Sequence, residues 1–78
     1  MNQQEIETKV TEILMNKLGI SETEINFEST LKDLGADTLD AFEIILELEK
    51  EFGITFPDDI ILKDQSIGSL SRYIENKT

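Results

Sequence analysis

Residues 37–53 read DTLDAFEIILELEKEFG, and this stretch decides the fold. Leu39, Phe42, Ile45, Leu46, Leu48 and Phe52 recur at steps that build one wide apolar face. Asp40, Glu43, Glu47, Lys50 and Glu51 take most of the other side. Ala41 and Ile44 broaden the apolar face further, as in a central helix packed on several sides. The spacing predicts a helix over 38–52. Asp37 suits the N-cap, Asp40 lies in the first turn where the helix dipole favours anions, and Gly53 suits a left-handed stop.

Outward from this helix, Ile6, Val10, Ile13, Leu14 and Leu18 form one stripe and predict a helix over 2–18. Asn2 and Glu5 fit a capping box, and Gly19 fits the C-terminal stop. Residues 20–36 have no sustained period. Ser21 and Glu24 fit a short capped turn, and Ile20, Ile25, Phe27, Leu31 and Leu34 are spaced as anchors for an ordered loop. After the break at GITFPDD, Pro57 suits a first helical turn, and PDDIILKD reads as a short helix. Ser66 then caps a last helix over 66–76, with Ile67, Leu70, Tyr73 and Ile74 as its stripe. The fold class is therefore all-α: a small bundle of three main helices plus one short helix, with a long ordered loop between the first and second helices. Residues 1–78 are read as a single domain.

Composition narrows the function. Seven basic against 17 acidic residues give a net charge of −10. Nucleic acid binding needs cations to displace counterions, so that class is set aside. A basic protein surface is the natural partner, reached by electrostatic steering. Cysteine and histidine are both absent, so the common nucleophile–base pairs cannot be assembled and no enzyme is expected. No disulfide is possible, the N-terminal residues lack a signal-peptide pattern, and acids interrupt the longest apolar cluster, AFEIILELE. The expectation is a cytoplasmic, monomeric chain with no membrane span. The acids around Gly35 do not match a calcium-loop pattern, so no dedicated metal site is expected.

One hydroxyl stands out. Thr38 would occupy the first turn of the second helix, after an easy surface turn at Gly35-Ala36. Free backbone N–H groups and the dipole converge there, a setting that suits phosphate. Asp37 and Asp40 oppose it. At a separation of about 6 Å in water the repulsion is about 0.7 kcal/mol per charge pair before salt screening, which is tolerable.

The run DLGADTLDAFEIILELEKEFG followed by FPDD closely resembles the acyl carrier proteins of fatty-acid synthesis. The likeness extends to the first helix ending KLGI and the last helix containing YI. The family motif is Gly, a variable residue, Asp, Ser, Leu and then an acidic helix, matched here by Gly35-Ala36-Asp37-Thr38-Leu39. The resemblance implies that position 38 carries 4′-phosphopantetheine through a phosphodiester, with acyl groups held as thioesters on its terminal thiol. The chain departs from the family by having threonine where the family has serine. The extra methyl restricts the side chain and is expected to slow or block loading. Two alternatives stay open: a carrier-like protein left unmodified, natural or engineered, acting as an acidic interaction module, or a specialised acyl or aminoacyl carrier.

The resemblance also implies docking against basic patches of the carrier-protein synthase (a phosphopantetheinyl transferase) and of fatty-acid synthesis enzymes. The candidate contact residues are Asp37, Leu39, Asp40, Phe42, Glu43, Leu46 and Glu47. From Asp33 to Glu51 there are seven acids and one base, a local net of −6. Asp40, Glu43 and Glu47 stand on one stripe, where like charges repel by a few tenths of a kcal/mol. By correspondence with the family, Phe42, Leu46, Ile54, Ile61 and Leu62 are expected to line a pocket for the acyl chain.

Overall fold

The computed structural model describes residues 1–61 and 63–78. Among them are three α-helices: α1 (Gln3–Leu18), α2 (Thr38–Phe52) and α3 (Ile67–Lys77). Each boundary has a local chemical cause. Asn2 and Glu5 form a capping box at the start of α1, and Asp37 and Asp40 form a second one at the start of α2. Ser66 caps α3 by accepting from the Ser69 amide at 3.1 Å. Gly19 and Gly53 end α1 and α2 in the left-handed conformation, where a side chain would be strained.

The core is built from the inward stripes of the helices. Ile6 and Leu14 of α1, Ile44 and Leu48 of α2, and Ile67 and Ile74 of α3 are all fully buried. α1 packs against both α2 and α3, and Lys9 of α1 reaches Glu51 of α2 at 3.6 Å. At the end of the bundle where α2 stops, Glu49 turns back to accept from the Phe56 amide at 2.7 Å. Phe56 stacks on Tyr73 with ring centroids 4.9 Å apart, and the Tyr73 hydroxyl donates to the Thr55 carbonyl at 3.0 Å.

The long loop is ordered by the same means. Leu31 is buried, and Ile25, Phe27 and Leu34 pack against the core, while Ile20 is half-buried and stands apart from that cluster. Ser21 precedes a 3₁₀ turn at Glu22–Glu24. The loop also docks on the start of α3. Ile67 N–H donates to the Ser29 carbonyl at 2.9 Å and Gly68 N–H to the Phe27 carbonyl at 2.8 Å, beside an isolated antiparallel bridge between Thr30 and Ser66. Two amides that a helix start leaves unpaired are thereby satisfied by loop carbonyls.

The segment 57–64 differs from expectation. Its described residues form successive turns, not a named helix, and the short helical element of the fold lies at Glu22–Glu24. The Ile60 amide bonds the Pro57 carbonyl, a helix-like turn, but Asp64 takes a positive φ of 47° and closes the run. Ile60 is buried and Ile61 half-buried, so tertiary packing shapes this stretch more than helical period does.

Candidate functional site

The site is assembled at the first turn of α2. Asp37 Oδ1 accepts from the Asp40 amide at 2.8 Å, and Asp40 Oδ2 accepts from the Asp37 amide at 3.3 Å. The Ala41 amide makes the first helical bond, to the Asp37 carbonyl, at 2.9 Å. Among the described residues the amides of Thr38 and Leu39 have no partner, as the geometry of a helix start requires. Thr38 is therefore an exposed alcohol fixed between two clamped aspartates, beside free N–H donors.

Thr38 also stands on the wall of a cleft of about 420 Å³. On the α2 side the cleft is lined by Asp37, Thr38, Ala41 and Ile45. Leu31, Lys32 and Ala36 of the preceding loop, Ile60, Ile61, Asp64 and Gln65 of the turn segment, and Leu70 of α3 complete it. The volume is within the range of ligand pockets, and most of the lining is apolar. An alcohol at the rim and an apolar recess beside it suit a group that is tethered through oxygen and carries an apolar end. The residues at the rim fit a phosphodiester: an accessible hydroxyl, two free amides and one lysine.

The expected site residues separate into two groups. Asp37 and Thr38 lie at the cleft. Leu39, Phe42 and Leu46 are 65%, 50% and 49% exposed and form an apolar strip on the outer face of α2. Asp40, Glu43 and Glu47 run beside that strip at helical spacing. The pocket expectation changes accordingly. Ile61 is part of the lining, but Phe42 and Leu46 are not, because the inward face of α2 is set by Ala41, Ile44, Ile45 and Leu48. Ile54 packs against the core away from the lining, and Leu62 lies outside the described residues. Of the lining residues missed, Ala41 and Ile45 had a legible signal. Thr38, Ala41 and Ile45 are spaced i, i+3, i+7, so a line drawn through the hydroxyl marks the cleft wall. Leu31, Lys32, Ala36, Asp64 and Gln65 had none, because the loop brings them there.

Among the described residues no helix is long and apolar enough to cross a membrane, and no group of three or more acids could hold a metal ion.

Comparison with known proteins bears on the same residues. The family model described as a phosphopantetheine attachment site matches residues 8–74. The acyl carrier protein of Clostridium acetobutylicum is 46% identical over 71 residues, covering 90% of this chain and 92% of that one. The solved structure of the acyl carrier protein from Enterococcus faecalis matches with a TM-score of 0.81 at 32% identity, covering 100% of both chains. By this match over most of its length, the chain belongs to the acyl carrier protein family, whose members carry 4′-phosphopantetheine covalently.

Proposed function

We propose that residues 1–78 act as one monomeric, cytoplasmic acyl-carrier domain in fatty-acid biosynthesis, with Thr38 Oγ1 as the attachment atom. The carrier holds acyl groups as thioesters on the arm and passes them between enzymes; it catalyses none of the steps itself. One observation carries the attachment site: Thr38 is exposed at a capped helix tip and lines the apolar cleft. In loading, the Thr38 hydroxyl gives its proton to a base on the transferase and forms the new oxygen–phosphorus bond to the β-phosphorus of coenzyme A. The oxygen–phosphorus bond to adenosine 3′,5′-bisphosphate breaks as that nucleotide leaves. Asp37 and Asp40 hold the helix start rigid while this occurs, and the cleft receives the apolar acyl chain.

The outer face of α2 serves recognition. Leu39, Phe42 and Leu46 supply a small apolar centre, and Asp37, Asp40, Glu43 and Glu47 supply a negative rim for basic patches on the transferase and on fatty-acid synthesis enzymes. An exposed apolar strip costs solubility, and its position beside a carboxylate stripe supports docking over plain packing.

The test is intact-mass spectrometry after incubation with coenzyme A and a phosphopantetheinyl transferase. The chain gains the mass of the arm, and Thr38→Ala gains none. A gain in Thr38→Ala, or none in the unaltered chain, defeats the attachment site. One feature favours a second reading, that of an unmodified acidic interaction module: the β-methyl of Thr38 where the family has serine. That reading is supported if only Thr38→Ser takes the arm.

A further inference from the structure

We infer that Lys32 is a positioning residue for the arm, pairing with the phosphodiester carried at position 38 and holding its first atoms over the mouth of the cleft. The inference rests on the attachment reading above. Lys32 and Thr38 line the same cleft, and Lys32 is the one cation among its described lining residues. The backbone that presents it is closed on itself: the Ala36 amide bonds the Leu31 carbonyl at 3.1 Å and the Gly35 amide bonds the Lys32 carbonyl at 3.0 Å. Six residues of sequence separation are thus partly folded into a tight turn, and both ends line the one cleft.

The acids nearest in sequence each spend one carboxylate oxygen on a backbone amide. Asp33 Oδ2 accepts from the Thr30 amide at 3.1 Å, and Asp37 and Asp40 cap each other's amides. Among the described residues the ion pairs are Lys9–Glu51 and Lys63–Asp59, and Lys32 is in neither. Asp64, the other acid lining the cleft, is the remaining competitor. What sets Lys32 apart from the other lysines outside those pairs is its place on the cleft wall that also carries Thr38. A phosphodiester adds one more negative charge next to Asp37 and Asp40, and Lys32 is the group placed to offset it. An exposed pair of this kind biases the arm toward the cleft about two- to fivefold, and salt weakens it.

The experiment uses the loaded chain, with loading verified by intact mass. Phosphorus NMR follows the phosphodiester at low and high salt, and proton NMR looks for contacts between the Lys32 side-chain methylenes and the geminal methyls of the arm. In the unaltered chain the contacts appear and the phosphorus signal moves with salt; in Lys32→Gln both effects are lost. Lys50→Gln, at the opposite end of α2, keeps them, and Asp64→Asn strengthens them by removing the competitor. Identical salt responses in the unaltered chain and Lys32→Gln, with no contacts, overturn the inference. The same measurements on Thr38→Ser separate the two readings. An arm on Thr38→Ser alone defeats attachment at threonine while the lysine is still read there, and an arm on neither overturns both.

Discussion

Asp37 and Asp40 hold each other's backbone amides, at 2.8 and 3.3 Å, on either side of Thr38. Two like charges are thereby brought together at the position proposed to receive a third. The arrangement is tolerable because each carboxylate is compensated by an N–H donor and by the positive end of the helix dipole. The clamp leaves the threonine hydroxyl outside the capping network, so the first turn is fixed without consuming the oxygen proposed for attachment.

Removing the clamp should therefore cost both stability and loading. Asp37→Ala loses a cap worth about 1 kcal/mol, which lowers the melting temperature by about 4–8 °C in a chain of this size. Asp37→Asn keeps an acceptor and should recover most of that loss. Thermal unfolding of the three chains checks the ranking. Equal melting temperatures for the two variants would show that charge, not capping, is what Asp37 supplies.

Thr38→Ser should take the arm at least about tenfold faster, since a misplacement near 1 Å of the attacking oxygen costs roughly 10²-fold and the β-methyl narrows the available rotamers. Stopped loading reactions read by mass give the two rates. Equal rates would mean that the methyl does not hinder the oxygen's approach.

The contrast between the two sides of α2 explains what was legible in advance. The bounds of the three helices, to within a residue, and the Asp37 cap followed from local chemistry, because each depends on neighbours within four residues; the reciprocal cap from Asp40 was read only as a first-turn charge, and Thr38 stood out through the family motif. Phe42 and Leu46 could not be assigned by hydrophobicity, since apolar side chains stand on both the buried face and the exposed outer face of α2. The cleft wall beyond α2 was out of reach for a different reason. Lys32, Ala36, Asp64 and Gln65 belong to irregular turns with no periodic signature, and the loop carrying the first two is anchored on α3 through the Phe27 and Ser29 carbonyls, a long-range effect.

That division is testable by truncation. Phe42→Ala, at a half-exposed position, should change stability by less than about 0.5 kcal/mol yet weaken binding to a partner enzyme. Ile44→Ala, two positions on and fully buried, should cost about 2–5 kcal/mol. Urea unfolding of both variants, with a binding titration of the first, separates packing from recognition. A large loss of stability in Phe42→Ala would return that ring to the core.

Charge reversal probes the rim. Glu43→Lys replaces one exposed acid of the α2 stripe, so affinity for a basic transferase should fall about two- to fivefold at low salt and the salt dependence should flatten. Titrations across a salt series give the slope. A parallel slope in the variant would remove Glu43 from the contact surface.

Gly68→Ala tests whether the loop is held to α3 or merely lies beside it. Alanine in a helix is favoured over glycine by about 1 kcal/mol, so a free site would gain stability. At Gly68 the added Cβ would meet the Phe27 carbonyl oxygen at 3.0 Å, and that oxygen already accepts the Gly68 amide at 2.8 Å. The neighbour is backbone, tied a second time through Ile67 N–H to the Ser29 carbonyl, so it has little room to retreat. Overpacking of this kind costs about 1–3 kcal/mol, which outweighs the helical gain and leaves the variant about 1 kcal/mol less stable. Amide exchange should accelerate at residues 29–36 more than along α1, because the docked loop is what loosens. Asn76→Ala, at an exposed position of the same helix, supplies the control and should not lower stability. If Gly68→Ala instead raised the melting temperature, the loop would be only resting on α3, and the wall of the cleft that carries Leu31 and Lys32 would have to be fixed by other contacts.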